Sequence, residues 1–411
     1  MTNEDYIRAN REEDVRRLAL RTVPDGVNRQ WCLQQIEGWQ VARQKLPRWA
    51  ETEGLWYPPR LSMEQCSGEL TALYKHDVVE RLIPEETRRA MADLTGGLGV
   101  DFSYVAPLFR HAAYVEVQPH LVELARHNMP LLLSPAMGKP RLHYEIIQGN
   151  GDFSFLEARN ESHTPEDEIF SLLYLDPARR DGTGRKTVAI ADCTPNFLEM
   201  QDELFVRSRY IMLKLSPMLD IHQALHELKH VCEVHVVSVK GECKELLFVC
   251  SAKEKIQSEV TFHCVNLGTA DEPVESTGGK PSACSIASGI NASLFLYEPN
   301  ASVLKAGIQD MLCALYPVQK LHPQSNLFVS EASIPNFPGR RFRIMGHSDF
   351  GKQNLKELIG DLRQANLTTR NFPVPVVTLR RQLRLSEGGS VYLFATTLAT
   401  GKHVLVRCEK A

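Results

Sequence analysis

Asp93-Leu94-Thr95-Gly96-Gly97-Leu98-Gly99 follows a short apolar run and opens a helical stretch. Gly96, Gly97 and Gly99 permit a tight turn in which backbone N–H groups come close to a ligand, and a helix start favours an anionic group there. The next apolar run ends near Glu116, 23 residues after Asp93. A carboxylate in that place can accept both ribose hydroxyls of an adenosine cofactor. Loop and carboxylate together outline an adenosine-sized site. The nicotinamide fingerprint Gly-x-Gly-x-x-Gly is not met, because from Gly97 it finds Gly99 and then Phe102.

A second constellation is Asp176-Pro177-Ala178-Arg179-Arg180, directly after the apolar run Phe170 to Leu175. Open parallel sheets bind ligands at the carboxyl ends of their strands, so Asp176 falls where a substrate should sit and can accept a hydrogen bond from an amine, while Pro177 stiffens the turn. Arg179, Arg180, Arg185 and Lys186 suit a phosphate or a solvated loop equally. His226-Glu227-Leu228-Lys229-His230 matches the His-Glu-x-x-His zinc pattern, with His222 one turn earlier. It falls where a covering helix is expected and has no third ligand at a telling spacing, so we read a solvated helix face and expect no metal site.

These residues need a scaffold, and the periodicity supplies one. Residues 1–90 read as helical, with helices expected over Asp5 to Leu20, Gln30 to Lys45, Ser67 to Leu82 and Glu85 to Met91. Strand-sized runs then alternate with helical stretches: Ala92 to Leu94, Ala112 to Val117, Tyr144 to Gln148, Phe170 to Leu175 and Tyr210 to Leu215, the pattern of a parallel sheet with covering helices. Cys232 to Val239 and Glu245 to Cys250 leave no room for a crossover helix and should form an antiparallel hairpin. A strand is expected at Val260 to Val265 and a loop from Gly268 to Ser288. A second α/β unit follows, with a helix near Ala301 to Leu315, strands at Gln324 to Val329 and Arg340 to Met345, and a helix at Gln353 to Ala365. Its last elements are a strand at Val374 to Thr378, a short helix at Leu379 to Leu385, and strands at Val391 to Thr397 and His403 to Cys408. The expected domains are therefore 1–90, 91–253 and 254–411.

Composition bounds the class. The chain has 411 residues, 43% of them hydrophobic and 24% charged, with a net charge of -3, which excludes disordered and collagen-like proteins. A start without a basic-then-apolar segment, and no apolar run of about 18 residues, predict a cytoplasmic protein with no membrane partner. Ten cysteines without a Cys-x-x-Cys pair are read as reduced, mostly buried thiols. From Pro335 onward 13 Lys or Arg face five acids, a net +8. The groups Arg340-Arg341-x-Arg343 and Arg380-Arg381-x-x-Arg384 point to nucleic acid.

Taken together, the sequence resembles class I S-adenosylmethionine-dependent methyltransferases over about residues 62 to 252. That resemblance implies a Rossmann-like α/β sheet with an antiparallel terminal hairpin. It implies a cofactor site in which Asp93, Thr95, Gly96, Gly97 and Gly99 hold the methionine part, Glu116 the ribose, and Asn150 or Asp152 the adenine. Glu64-Gln65-Cys66-Ser67-Gly68-Glu69-Leu70-Thr71-Ala72-Leu73-Tyr74-Lys75, together with the Asp176 motif and the basic end, is similar to a bacterial family of such enzymes with a C-terminal THUMP-like, ferredoxin-like α+β domain. It implies that Gln65 and Thr71 close over S-adenosylmethionine.

Amino-group methyltransferases acting on bases carry Asp or Asn-Pro-Pro and an aromatic residue, where this chain has Ala178 and Arg179. Uridine C5 enzymes need a cysteine at the next strand end, where this chain reads Lys214-Leu215-Ser216-Pro217. The expected function is methylation of RNA, with Asp176, Pro177 and Arg179 in the catalytic role and Arg180, Arg340, Arg341 and Arg381 on the substrate. The alternatives are a small-molecule or protein methyltransferase, and a non-catalytic RNA-binding module with a vestigial cofactor site.

Overall fold

The computed structural model describes residues 1–134, 142–151, 170–178, 189–252, 259–278 and 284–411. It divides into two compact units: Met1–Cys232 with Leu246–Ser258, and Glu233–Glu245 with Glu259–Ala411. No helix among the described residues is long and apolar enough to cross a membrane.

The first unit begins with helices α1 (Asn3–Asn10), α2 (Val15–Ala19), α3 (Arg29–Lys45), α4 (Pro47–Glu51), α5 (Arg60–Gln65) and α6 (Glu69–Leu82). The single helix expected over Asp5 to Leu20 is two, because the Asp14 side chain accepts from the Arg16 and Arg17 amides and caps a new start. The helix expected at Glu85 to Met91 is also corrected. Only a short turn forms at Glu85–Thr87, and strand β1 (Ala90–Asp93) starts at once, its neighbours in the sheet overriding local propensity.

The sheet of this unit adds β2 (His111–Glu116), β3 (His143–Gln148), β4 (Phe170–Leu175) and β5 (Ser208–Leu215), all parallel in the order β3-β2-β1-β4-β5. Helix α7 (Val100–Val105) follows β1 and α8 (Pro119–Leu132) follows β2, while α9 (Phe197–Arg207) leads into β5 and α10 (Ile221–Glu227) follows it. All six residues of β4 are buried, as a central strand covered on both faces requires. Register decides where the chemistry falls. Asp93 pairs with Tyr114 on one side and Tyr174 on the other, so Glu116 and Asp176 each lie two residues beyond its neighbours at the carboxyl edge.

Beyond β6 (Val231–Val239), Lys240 and Gly241 take φ of 49° and 86°, the left-handed pair a two-residue hairpin turn demands, and β7 (Glu242–Ser251) returns antiparallel to β5. In the second unit β6 is parallel to β8 (Thr261–Leu267), and β9 (Val274–Thr277) runs antiparallel to β8 inside the segment expected to be loop.

A seven-stranded sheet makes up the rest: β10 (Phe295–Pro299), β11 (Gln319–Lys320), β12 (Phe328–Ser330), β13 (Gly339–Asp349), β14 (Asn366–Arg370), β15 (Val391–Thr397) and β16 (His403–Lys410), in the order β11-β12-β10-β13-β16-β15-β14. Its helices are α11 (Ala301–Ala306), α12 (Leu312–Leu315), α13 (Lys352–Ile359) and α14 (Val376–Leu383). Gly307, at φ 72°, breaks the helix expected from Ala301 to Leu315. The strand expected at Val374 to Thr378 is instead the start of α14, whose entry Pro375 fixes, and the strand lies earlier at Asn366–Arg370. Cys284 and Cys313 are bonded as a disulfide, against the reading of ten reduced thiols, and the other eight cysteines form no disulfide.

Candidate active site

One cavity of about 630 Å³ opens at the carboxyl edge of the first unit's sheet. Its floor is the glycine loop. At Gly99 φ is 80°, a conformation that caps α7 and is open to glycine at little cost, and a Cβ at Gly96 would stand 2.2 Å from Tyr114 Cε2. Tyr114 in turn donates its hydroxyl to the Gly97 carbonyl. Glu116, buried, accepts from the Gly97 amide through Oε2 and from the Gln118 amide through Oε1, each at 2.8 Å. Strand end and loop are thereby locked together while both oxygens keep lone pairs for further donors. Asp93 accepts from the Thr95 amide at 3.0 Å. Burial pushes its carboxyl well above the ordinary range, and the nearby carboxylates of Asp101, Asp176 and Glu116 add to the shift.

The opposite wall is a chain of buried polar groups. Lys75 on α6 is fully buried and reaches Asp101 Oδ1 on α7 at 3.0 Å. Asp101 Oδ2 also accepts from Ser67 Oγ and from the Tyr174 hydroxyl, both at 2.7 Å. Burial alone would raise the Asp101 carboxyl, but Lys75, Lys214 and these two hydrogen bonds outweigh it and hold the group at about 2. Leu175 pairs with Leu213, so Asp176, just past the end of β4, lies beside Lys214 near the end of β5. Lys214 Nζ donates to Asp176 Oδ2 at 2.5 Å and to Ser67 Oγ at 3.1 Å. The Asp176 amide donates to Thr95 Oγ1 at 2.6 Å, which ties this wall to the glycine loop.

Asp93, Thr95, Gly96, Gly97, Gly99, Glu116, Asn150, Gln65 and Asp176 thus share one cavity. Thr71 stands apart from that lining: it is buried and donates its hydroxyl to the Gly68 carbonyl. Pro177 is buried behind Asp176. Asp152, Arg179 and Arg180 lie outside the described residues. In the second unit Arg340 is not a free cation, because it pairs with the buried Glu298, which also takes Arg370 at 2.7 Å. Arg341 donates to the Pro335 carbonyl, and Arg381 is exposed. Helix α10 ends at Glu227 and His230 has a φ of 58°, so the His-Glu-x-x-His residues do not share a helical face.

Lys75, Asp101, Ser67 and Lys214 are the site residues that sequence reasoning passed over. Lys214 carried a signal, since a lysine inside the apolar run Tyr210 to Leu215 demands a buried partner. Lys75 and Asp101 had none that is local.

Over its full length the chain is 33% identical to a protein from Porphyromonas gingivalis W83 whose crystal structure was assigned to a methyltransferase. The superposition has a TM-score of 0.80 and covers 97% of that chain. An uncharacterised S-adenosylmethionine-dependent methyltransferase of Mycobacterium tuberculosis is 22% identical over 317 residues, 76% of this chain and 78% of that protein. Residues 339–410 match the model of a THUMP domain-like family, and 295–338 that of a ferredoxin-like domain.

Replacing Lys75 by Met should leave the buried Asp101 without its nearest cation and destabilise the first unit by up to about 3 to 5 kcal/mol, whereas Lys75→Met with Asp101→Leu should recover most of that loss. Because the folded Asp101 carboxyl lies below its unfolded value, its stabilisation is complete above about pH 4 and disappears as pH falls toward 2. Denaturant midpoints at neutral and acid pH test both statements; equal midpoints for wild type and Lys75→Met at pH 7 would refute them.

Proposed function

The chain belongs to the S-adenosylmethionine-dependent methyltransferases with a C-terminal THUMP-like domain, and from that premise we propose that its methyl acceptor is RNA, positioned for transfer by Asp176. The observation that carries this reading is the basic THUMP-like end, with 13 Lys or Arg against five acids from Pro335 onward. Arg343 and Arg381 are exposed there, and neither is ion-paired to a described residue.

S-adenosylmethionine supplies a methyl group made electrophilic by its sulfonium sulfur. The glycine loop and Glu116 fit its methionine part and its ribose: the loop admits a ligand against bare backbone, and the buried Glu116 carboxylate retains lone pairs for two hydroxyl donors. Asp176 accepts a hydrogen bond from the N–H of the acceptor. Lys214 fixes its second oxygen, and Thr95 fixes its backbone. Transfer needs nucleophile and methyl carbon in line at about 3 Å, so a carboxylate held from two sides acts chiefly by orientation.

Glu116→Ala should cost about 1 to 3 kcal/mol of cofactor affinity, roughly ten- to a hundredfold, read by calorimetry with S-adenosylhomocysteine. Asp176→Asn should lower turnover by a similar factor and leave that affinity within a few-fold. If Asp176→Asn lost cofactor binding while still folded, the carboxylate would belong to the cofactor side.

For RNA, the enzyme should transfer labelled methyl groups to total RNA from a strain lacking the gene, and not to RNA from its parent. Affinity for single-stranded RNA should fall with salt. Each phosphate contact contributes a slope of about -0.7 in log affinity against log salt, so Arg343→Ala with Arg381→Ala should shallow it by up to roughly 1.4. No methyl incorporation into either RNA would overturn the reading.

A further inference from the structure

Within the second unit, three donor side chains from two adjacent strands meet. His235 on β6 and His263 on β8 are direct register partners, and their rings stack with centroids 4.6 Å apart and planes inclined by 10°. Glu233, two residues before His235 on β6, brings Oε2 to 3.0 Å from His235 Nε2 and 3.7 Å from His263 Nε2. One donor atom from each of the three lies within 4.8 Å of the others. His235 and His263 are both buried.

A fourth residue orients the set. Glu275 on β9 is the register partner of His263 and stands 3.1 Å from its Nδ1. A carboxylate at Nδ1 holds the proton there and leaves Nε2 with the lone pair, the arrangement by which an outer carboxylate prepares a histidine to ligate a metal. That Nε2 is buried and has no hydrogen-bond partner among the described residues. It faces the Glu233 carboxylate oxygen, so two acceptors confront each other across 3.7 Å, a distance too long for a shared proton. A cation held between them would satisfy both.

We propose that Glu233, His235 and His263 bind a divalent transition cation of the zinc class, through Glu233 Oε2, His235 Nε2 and His263 Nε2, with Glu275 as the orienting carboxylate. Two neutral imidazoles and one carboxylate form a ligand set that zinc accepts, with a fourth position for water or another donor. The site joins β6 to β8, and through Glu275 it engages β9. No local spacing announces it: His235 and His263 lie 28 residues apart in the chain and become neighbours only through parallel pairing.

The test uses the full chain, stripped with a chelator, dialysed against zinc and scored for metal per chain, melting temperature and binding of S-adenosylhomocysteine. The wild type should take up a single zinc ion at micromolar affinity or tighter and melt at a higher temperature with it. His263→Gln, folded as judged by S-adenosylhomocysteine binding, should lose at least about a hundredfold in zinc affinity. Glu275→Gln should keep the stoichiometry and lose roughly ten- to a hundredfold. Cobalt in place of zinc should give visible absorption without a thiolate charge-transfer band, which separates this site from the cysteines. Three results would each overturn the proposal: no zinc taken up by the wild type, zinc binding unchanged in folded His263→Gln and His235→Gln, or a thiolate band in the cobalt protein.

Discussion

An ammonium group at Lys75 that is wholly shut off from water needs an anion beside it, and the Asp101 carboxylate stands 3.0 Å away. Meeting that requirement fixes much of the first unit. Asp101 sits at the start of α7, so α6 has to lie against the helix that leaves the glycine loop. Its second oxygen takes the Tyr174 hydroxyl from β4 and Ser67 from the turn before α6. Ser67 also accepts from Lys214 on β5, which donates to Asp176 as well. One buried pair thereby refers the loop, the entry helix and two strand ends to a common point. Apolar residues of similar size would commonly be as stabilising, so the pair is better understood as setting geometry than as adding stability.

The same network divides the cavity electrically. Lys75 and Lys214 face Asp101 and Asp176, so that wall carries two cations against two carboxylates. On the loop side stand Asp93 and Glu116, and the charged groups that add to the effect of burial on Asp93 are all acidic, against the Thr95 amide that lowers it. A ligand that brings positive charge to the loop and presents hydroxyls to Glu116 relieves that side, whereas a pyrophosphate would be set against Glu116 and its neighbours. The charge distribution thus supports, on grounds independent of the glycine spacing, the methyl donor over a dinucleotide.

What was legible in the sequence was local. The positive φ of Gly97 and Gly99 lies in the loop that the glycine spacing marked out, and the bounds of β4, Phe170 to Leu175, follow from an apolar run interrupted only by Ser171. What was missed is either distant in the chain or weakly patterned. Lys75 and Asp101 are 26 residues apart, and nothing in either neighbourhood names the other. Strand β14 reads Asn-Leu-Thr-Thr-Arg, with only Leu367 buried, so it carries almost no alternation, and the apolar Val374 to Thr378 beside it drew the strand assignment away. There Pro375 mattered more than the valines, because it fixes a helix entry and removes a ladder donor.

The charge count on the C-terminal unit shows a different limit. A sum taken from Pro335 onward leaves out Glu298, which lies earlier in the chain yet sits beside Arg340 and Arg370 and neutralises part of what the sum credits to them. Arg380 is likewise matched by Glu387. Arg341 is another case, since its partners are backbone carbonyls, which hold the guanidinium in place without cancelling its charge. Formal charge therefore overstates the field at Arg340 and does not at Arg341. Any long-range attraction for a polyanion must come from cations that are held or exposed but not ion-paired to a described residue, and Arg341, Arg343, Arg381 and Arg384 meet that condition.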